Sequence, residues 1–105
     1  MEEKVHTKTE ILKRLQRFAP ELRRLGVDKI GLFGSFVRNE PHELSDVDIL
    51  VEFTPGQKSF DNFMSLCFRL EDIFLRRVEV VTKESLSPHI GPQILKETEY
   101  VSLSV

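Results

Sequence analysis

Residues 45–53 read Ser45-Asp46-Val47-Asp48-Ile49-Leu50-Val51-Glu52-Phe53. Side chains alternate between the two faces of a strand, so Val47, Ile49, Val51 and Phe53 share an apolar face that must pack against helices. Asp46, Asp48, Leu50 and Glu52 share the other. The strand rise sets Asp46 and Asp48 about 6.6 Å apart on that second face. Flexible carboxylates at this separation can converge on one hard cation. Magnesium takes one or two protein carboxylates and completes its shell with phosphate and water.

Upstream, Gly26-Val27-Asp28-Lys29-Ile30-Gly31-Leu32-Phe33 predicts a strand over 27–33. Val27, Lys29 and Gly31 fall on one face and Ile30 and Leu32 on a mostly apolar one. Gly34-Ser35 breaks it, ahead of a short helical turn. Glycine there lets the backbone approach an anion, and the following N–H groups with the Ser35 hydroxyl can donate to a phosphate. Arg38, one turn on, adds a cationic donor. A phosphate cradle twelve residues ahead of a carboxylate pair is the arrangement that phosphoryl or nucleotidyl transfer requires. Downstream, Val78-Glu79-Val80-Val81-Thr82 predicts a third strand. Glu79 stands between two core-facing valines and joins Asp46 and Asp48 if the strands are neighbours.

Helices fill the remainder. Thr7-Lys8-Thr9-Glu10 has capping-box spacing ahead of an apolar stripe at Ile11, Leu12, Leu15 and Phe18, which predicts a helix over 8–18. Pro20 opens a short helix over 20–25, stopped by Gly26. Phe60, Phe63, Met64, Cys67, Leu70 and Phe74 mark a long amphipathic helix over 59–75. A last helix is expected over 88–96, followed by an apolar tail over 101–105. The order predicts an α/β (α+β) class, with a small mixed β-sheet and helices packed mainly on one side.

The 105 residues and 12.2 kDa predict a single domain over 1–105. Fifteen basic against seventeen acidic residues leave no basic footprint for nucleic acid as a direct ligand. The acidic excess concentrates in residues 31–60, which carry a formal charge of −3 and contain the Asp46/Asp48 pair. No apolar run reaches the roughly 20 residues that cross a bilayer. The charged start carries no apolar signal segment, and a cytoplasmic protein is expected. The single Cys67 excludes an intrachain disulfide, and its place on an apolar stripe predicts core packing. His6, His42 and His89 have no ligand spacing and read as surface or structural residues. Phe60, Phe63, Phe68 and Phe74 read as core, with an interface as the alternative for 60 and 68; Arg76-Arg77 reads as a solvated helix end, with a phosphate role as the alternative. A domain this small builds a shallow cleft, so part of the substrate pocket is expected from another chain, in a homo- or hetero-oligomer.

Gly34-Ser35, ten residues, then Asp46-x-Asp48 resembles the signature of the DNA polymerase β-like nucleotidyltransferase superfamily. With the strands over 27–33 and 78–82, the chain is more narrowly similar to the minimal nucleotidyltransferases, small proteins that often act as antitoxins beside HEPN-domain toxins. The resemblance implies a nucleotidyltransferase fold. It implies two magnesium ions on Asp46 and Asp48, with Glu79 as the third catalytic and metal-binding carboxylate. It also implies ATP phosphates on Gly34 and Ser35, with Arg38 assisting. Chemistry would be in-line attack on the α-phosphate with pyrophosphate leaving, and the acceptor a tyrosine hydroxyl of the HEPN toxin, which becomes adenylylated. One departure stands out: the family usually has Asp where this chain has Glu79, whose extra methylene moves the oxygen by more than about 1 Å, a displacement that can slow catalysis on the order of 100-fold. The alternative is a weak or inactive antitoxin that neutralises its partner by contact.

Overall fold

A computed structural model describes residues 3–41 and 45–103; His42 and the last two residues of the apolar tail lie outside them. Strand β1 (Val27–Phe33) pairs antiparallel with β2 (Val47–Phe53), and β2 pairs parallel with β3 (Val78–Thr82). A short β4 (Glu99–Val101) adds antiparallel to the free side of β1, so the sheet order is β3-β2-β1-β4. The mixed sheet agrees with the expected class.

One face of the sheet carries helices α1 (Lys8–Arg17), α2 (Ala19–Arg24) and α3 (Phe60–Phe74). Ile30, Leu32, Val47, Ile49 and Val51 bury there with Ile11, Leu15, Leu22, Leu66, Leu70 and Phe74. Side-chain caps start α1 and α3. Thr7 Oγ1 accepts from the Glu10 N–H at 3.1 Å, while the Glu10 carboxylate takes the His6 N–H at 3.2 Å. Ser59 Oγ accepts from the Asn62 N–H at 3.1 Å at the start of α3.

The structure corrects the sequence reading in places and refines it in others. A bulge at Asp28 shifts the β1–β2 register between Val27 and Lys29, so Val27 joins Ile30 and Leu32 in the core rather than lying with Lys29 and Gly31. The helical turn expected after Gly34 is present: Gly34 C=O accepts from the Val37 and Arg38 N–H groups, and the chain leaves through Asn39 at φ 60°. Helix α4 spans Gly91–Glu97 and flanks the acidic face of the sheet, so the helices are less one-sided than expected. That face is not a solvated surface, since Leu50 and Phe33 are buried on it. Finally, Phe74 is core, but Phe60 and Phe68 are 77% and 62% exposed, and Cys67 is half-buried. Among the described residues no helix is long and apolar enough to cross a membrane.

Strand β4 depends on Gly31. A Cβ at this position would meet Thr98 Cγ2 at 2.5 Å and the Glu99 carbonyl oxygen at 3.1 Å. Thr98 cannot swing away freely, because its hydroxyl donates to the Ile94 carbonyl at 2.6 Å. Gly31→Ala is therefore expected to destabilise the protein by about 1–3 kcal/mol through overpacking. Urea unfolding measures this, and a loss under about 0.5 kcal/mol would mean that β4 yields without cost.

Candidate functional site

The site forms where β1 ends, β2 begins and β3 runs alongside. Register places Phe33 opposite Asp48 on one side and Glu79 opposite Asp48 on the other. Asp48 thus stands at the centre of a three-strand row, flanked at once by the Gly34 turn and by Glu79.

Contact with Gly34 is tight. A Cβ on Gly34 would lie 2.0 Å from Asp48 Oδ2 and 2.8 Å from its Cγ, and Gly34 has φ +81°. Glycine is needed here twice over, for the left-handed backbone and because the Asp48 carboxylate fills the side-chain position. This reason is additional to the phosphate approach expected from sequence.

Burial pushes the Asp48 carboxyl up to about 6; the Glu79 charge, a hydrogen bond with Glu79 and the Asp46 charge add to the rise, and Arg38 opposes it. Glu79 lies beside Asp48 in the β2–β3 register, while Asp46 acts on it through space. Among the described residues no three acidic, histidine or cysteine side chains close into a ready-made metal cage. The donor set nonetheless suits a hard divalent cation, because carboxylates crowded together hold a surplus of negative charge that a cation would relieve.

The remaining predicted residues sit as follows. Ser35 is half-buried, and its carbonyl accepts from the Glu40 N–H at 2.8 Å. Arg38 Nη1 donates to both oxygens of Glu97, at 3.1 and 3.2 Å, and its Nε lies 3.7 Å from Glu40. The Gly34 N–H donates to the same Glu97 carboxylate at 2.9 Å. Gly34, Arg38, Asp48 and Glu97 line one cavity of about 320 Å³ with Phe33, Ile90, Gln93 and Ile94. A larger, mainly apolar cavity of about 430 Å³ between the start of α3 and β3 contains none of the predicted site residues.

Two residues of consequence escaped the sequence reading. Glu97 is one. The other is Arg76, read as a solvated helix end. Its guanidinium donates to the Val5 carbonyl from Nε and Nη2 and to the Ser45 carbonyl from Nη1, at 3.0–3.1 Å. It also stacks 5.2 Å above the Phe36 ring. Arg76 therefore ties the residue before Asp46 to the residue after Ser35. No local periodicity reports such a contact; the only signal is an arginine at the end of an amphipathic helix.

Residues 10–101 match the nucleotidyltransferase domain family. The protein adenylyltransferase MntA of Thermococcus cleftensis is 48% identical over 82 residues, which are 77% of this chain and 82% of that protein. A solved structure described as a candidate minimal nucleotidyltransferase superposes with a TM-score of 0.69 at 30% identity, covering 84% of this chain and 93% of its own. A toxin–antitoxin crystal structure with AMP-PNP shares the fold, with a TM-score of 0.62 at 24% identity over 88% of this chain and 69% of that one.

The electrostatics carry a prediction with a definite sign. Asp48 binds its proton more tightly in the folded than in the unfolded chain, so its contribution becomes destabilising as pH rises from 3.8 through about 6. Asp48→Asn removes this cost and is expected to stabilise the metal-free protein by about 1–2 kcal/mol at neutral pH, after allowing for solvent screening. Thermal melts should show the gain near pH 8 and not near pH 4. An equal shift at both pH values would mean that packing, not charge, is responsible.

Proposed function

The chain belongs to the nucleotidyltransferase domain family and is a nucleotidyltransferase, and from that premise we propose that it transfers AMP from ATP to a hydroxyl of a partner protein. The partner is a toxin of the HEPN type and the acceptor a tyrosine, so that adenylylation is the act of an antitoxin. The observation that carries this reading is the row Phe33–Asp48–Glu79, which sets Asp48 beside Glu79 and against the Gly34 turn, with Asp48, Gly34 and Arg38 lining one cavity. The protein adenylyltransferase and the AMP-PNP toxin–antitoxin complex among similar proteins support the substrate and partner class.

Each residue then has a task. The Gly34 N–H and the Ser35 hydroxyl bind the β- and γ-phosphates, with Arg38 donating charge-assisted bonds beside them. Asp46, Asp48 and Glu79 would hold magnesium, which when bound neutralises phosphate charge and aligns nucleophile and leaving group. The acceptor oxygen attacks the α-phosphorus in line, the bond from that phosphorus to the α–β bridging oxygen breaks, and pyrophosphate departs. The hydroxyl proton passes to the Asp48–Glu79 carboxylate pair. Arg76 bonds the Ser45 carbonyl on one side of the site and stacks on the Phe36 ring on the other, so that this geometry survives substrate binding.

A second reading, a weak or inactive antitoxin acting by direct contact, is favoured by one observation. Glu97 engages the Gly34 and Arg38 donors in the free protein.

The purified chain, incubated with its toxin, magnesium and labelled ATP, is expected to add one AMP to the toxin, as read by mass analysis. Asp46→Asn and Asp48→Asn should abolish the addition, and Glu79→Gln should slow it by about 100- to 10,000-fold. Glu79→Asp should retain or raise it. Neutralisation that is complete without nucleotide and indifferent to loss of all three carboxylates would decide for direct contact.

A further inference from the structure

Glu97 sits where sequence reasoning placed a phosphate. Its Oε1 takes the Gly34 N–H at 2.9 Å and Arg38 Nη1 at 3.1 Å, and its Oε2 takes Arg38 Nη1 at 3.2 Å. An anion held by a turn N–H and a guanidinium is the binding mode expected of a phosphate oxygen pair.

The position follows from strand register. Leu32 pairs with Glu99 in the antiparallel β1–β4 ladder. Continuing that ladder by two residues on each strand brings Glu97 opposite Gly34. β4 is held at this point by an ion pair between Lys8 Nζ and Glu99 Oε2 at 2.9 Å. Glu97 is also the last residue of α4, where the carbonyl end of the helix disfavours a carboxylate. It remains there because Gly34 and Arg38 receive it. The cavity it enters already contains the Asp48 carboxylate.

We propose that Glu97 is a displaceable latch of the nucleotide site: its carboxylate occupies the phosphate position in the free protein, and the ATP triphosphate must expel it to bind. The inference rests on the nucleotide reading given under Proposed function. Gly34 has one N–H, which cannot serve Glu97 and a phosphate together. Binding therefore selects the latch-open fraction, and apparent affinity is lowered in proportion to that fraction. A triphosphate, with several charges and additional contacts, can compete where a monoanion cannot. The latch also favours departure of pyrophosphate, since the returning carboxylate reclaims its donors.

The test is titration calorimetry of the full chain with a non-hydrolysable ATP analogue and magnesium, comparing wild type, Glu97→Gln and Glu97→Ala. Latch removal is expected to tighten binding about tenfold or more, corresponding to a free protein that is at least about 90% latched. Glu97→Gln keeps the side-chain volume but loses the charge that pairs with Arg38, so it weakens the latch and folds even if Glu97→Ala does not. A second readout is the Gly34 amide resonance, which should shift in the unliganded Glu97→Ala protein and on adding the analogue to wild type. Wild-type binding with equal or weaker binding by Glu97→Gln would overturn the latch while leaving the nucleotide reading intact. Absence of binding by every variant, wild type included, would overturn both.

Discussion

The Asp48 carboxylate fills the space that a side chain at residue 34 would occupy, and the site is arranged around this contact. It requires glycine at 34, with its positive φ, and this turns the chain sharply away from β1. It requires the β1–β2 register that sets Phe33 against Asp48. It also brings the Gly34 turn, Arg38 and the Asp48 carboxylate to one cavity. Any side chain at 34 would meet the Oδ2, Cγ and Cβ atoms of Asp48 and force that residue and the turn apart.

Such closeness has an electrostatic cost. Asp48 is half-buried beside Glu79 and Asp46, and its proton affinity rises accordingly. A fold selected for stability alone would replace one of these groups. Their retention at one end of the sheet is the pattern of a functional site, where local strain is tolerated because the rest of the structure absorbs it. Here the absorbing elements are identifiable. Phe36 anchors the turn in the core, and Arg76 clamps Phe36, Val5 and Ser45 from behind.

Cationic groups near the site divide by task in a way their sequence positions do not reveal. Arg38 and Arg76 are both arginines near acidic residues. Arg38 is exposed and meets carboxylates, so its bonds can be exchanged for those of an incoming anion. Arg76 meets backbone carbonyls, which no ligand replaces. The first belongs to recognition and the second to the framework.

The sequence by itself determined the elements that repeat a local period. The acidic–apolar alternation of residues 45–53, the capped stripes of α1 and α3, and the glycine punctuation at 26 and 34 are written in neighbouring residues, and they carried the fold class and the succession of elements along the chain; that Glu79 stands beside Asp48 followed only once β2 and β3 proved to be neighbours. Tertiary structure decided what depends on contact between distant segments. The Asp28 bulge moved Val27 to the core because a bulge is defined only against the partner strand. Strand β4 is three residues long, too short for alternation to mark it, and exists because Gly31 leaves room beside β1. Glu97 reaches Gly34 only through that pairing, 63 positions along the chain. Local chemistry names the donors of a site; which acceptor they hold is set by register, and register is a property of two strands rather than one.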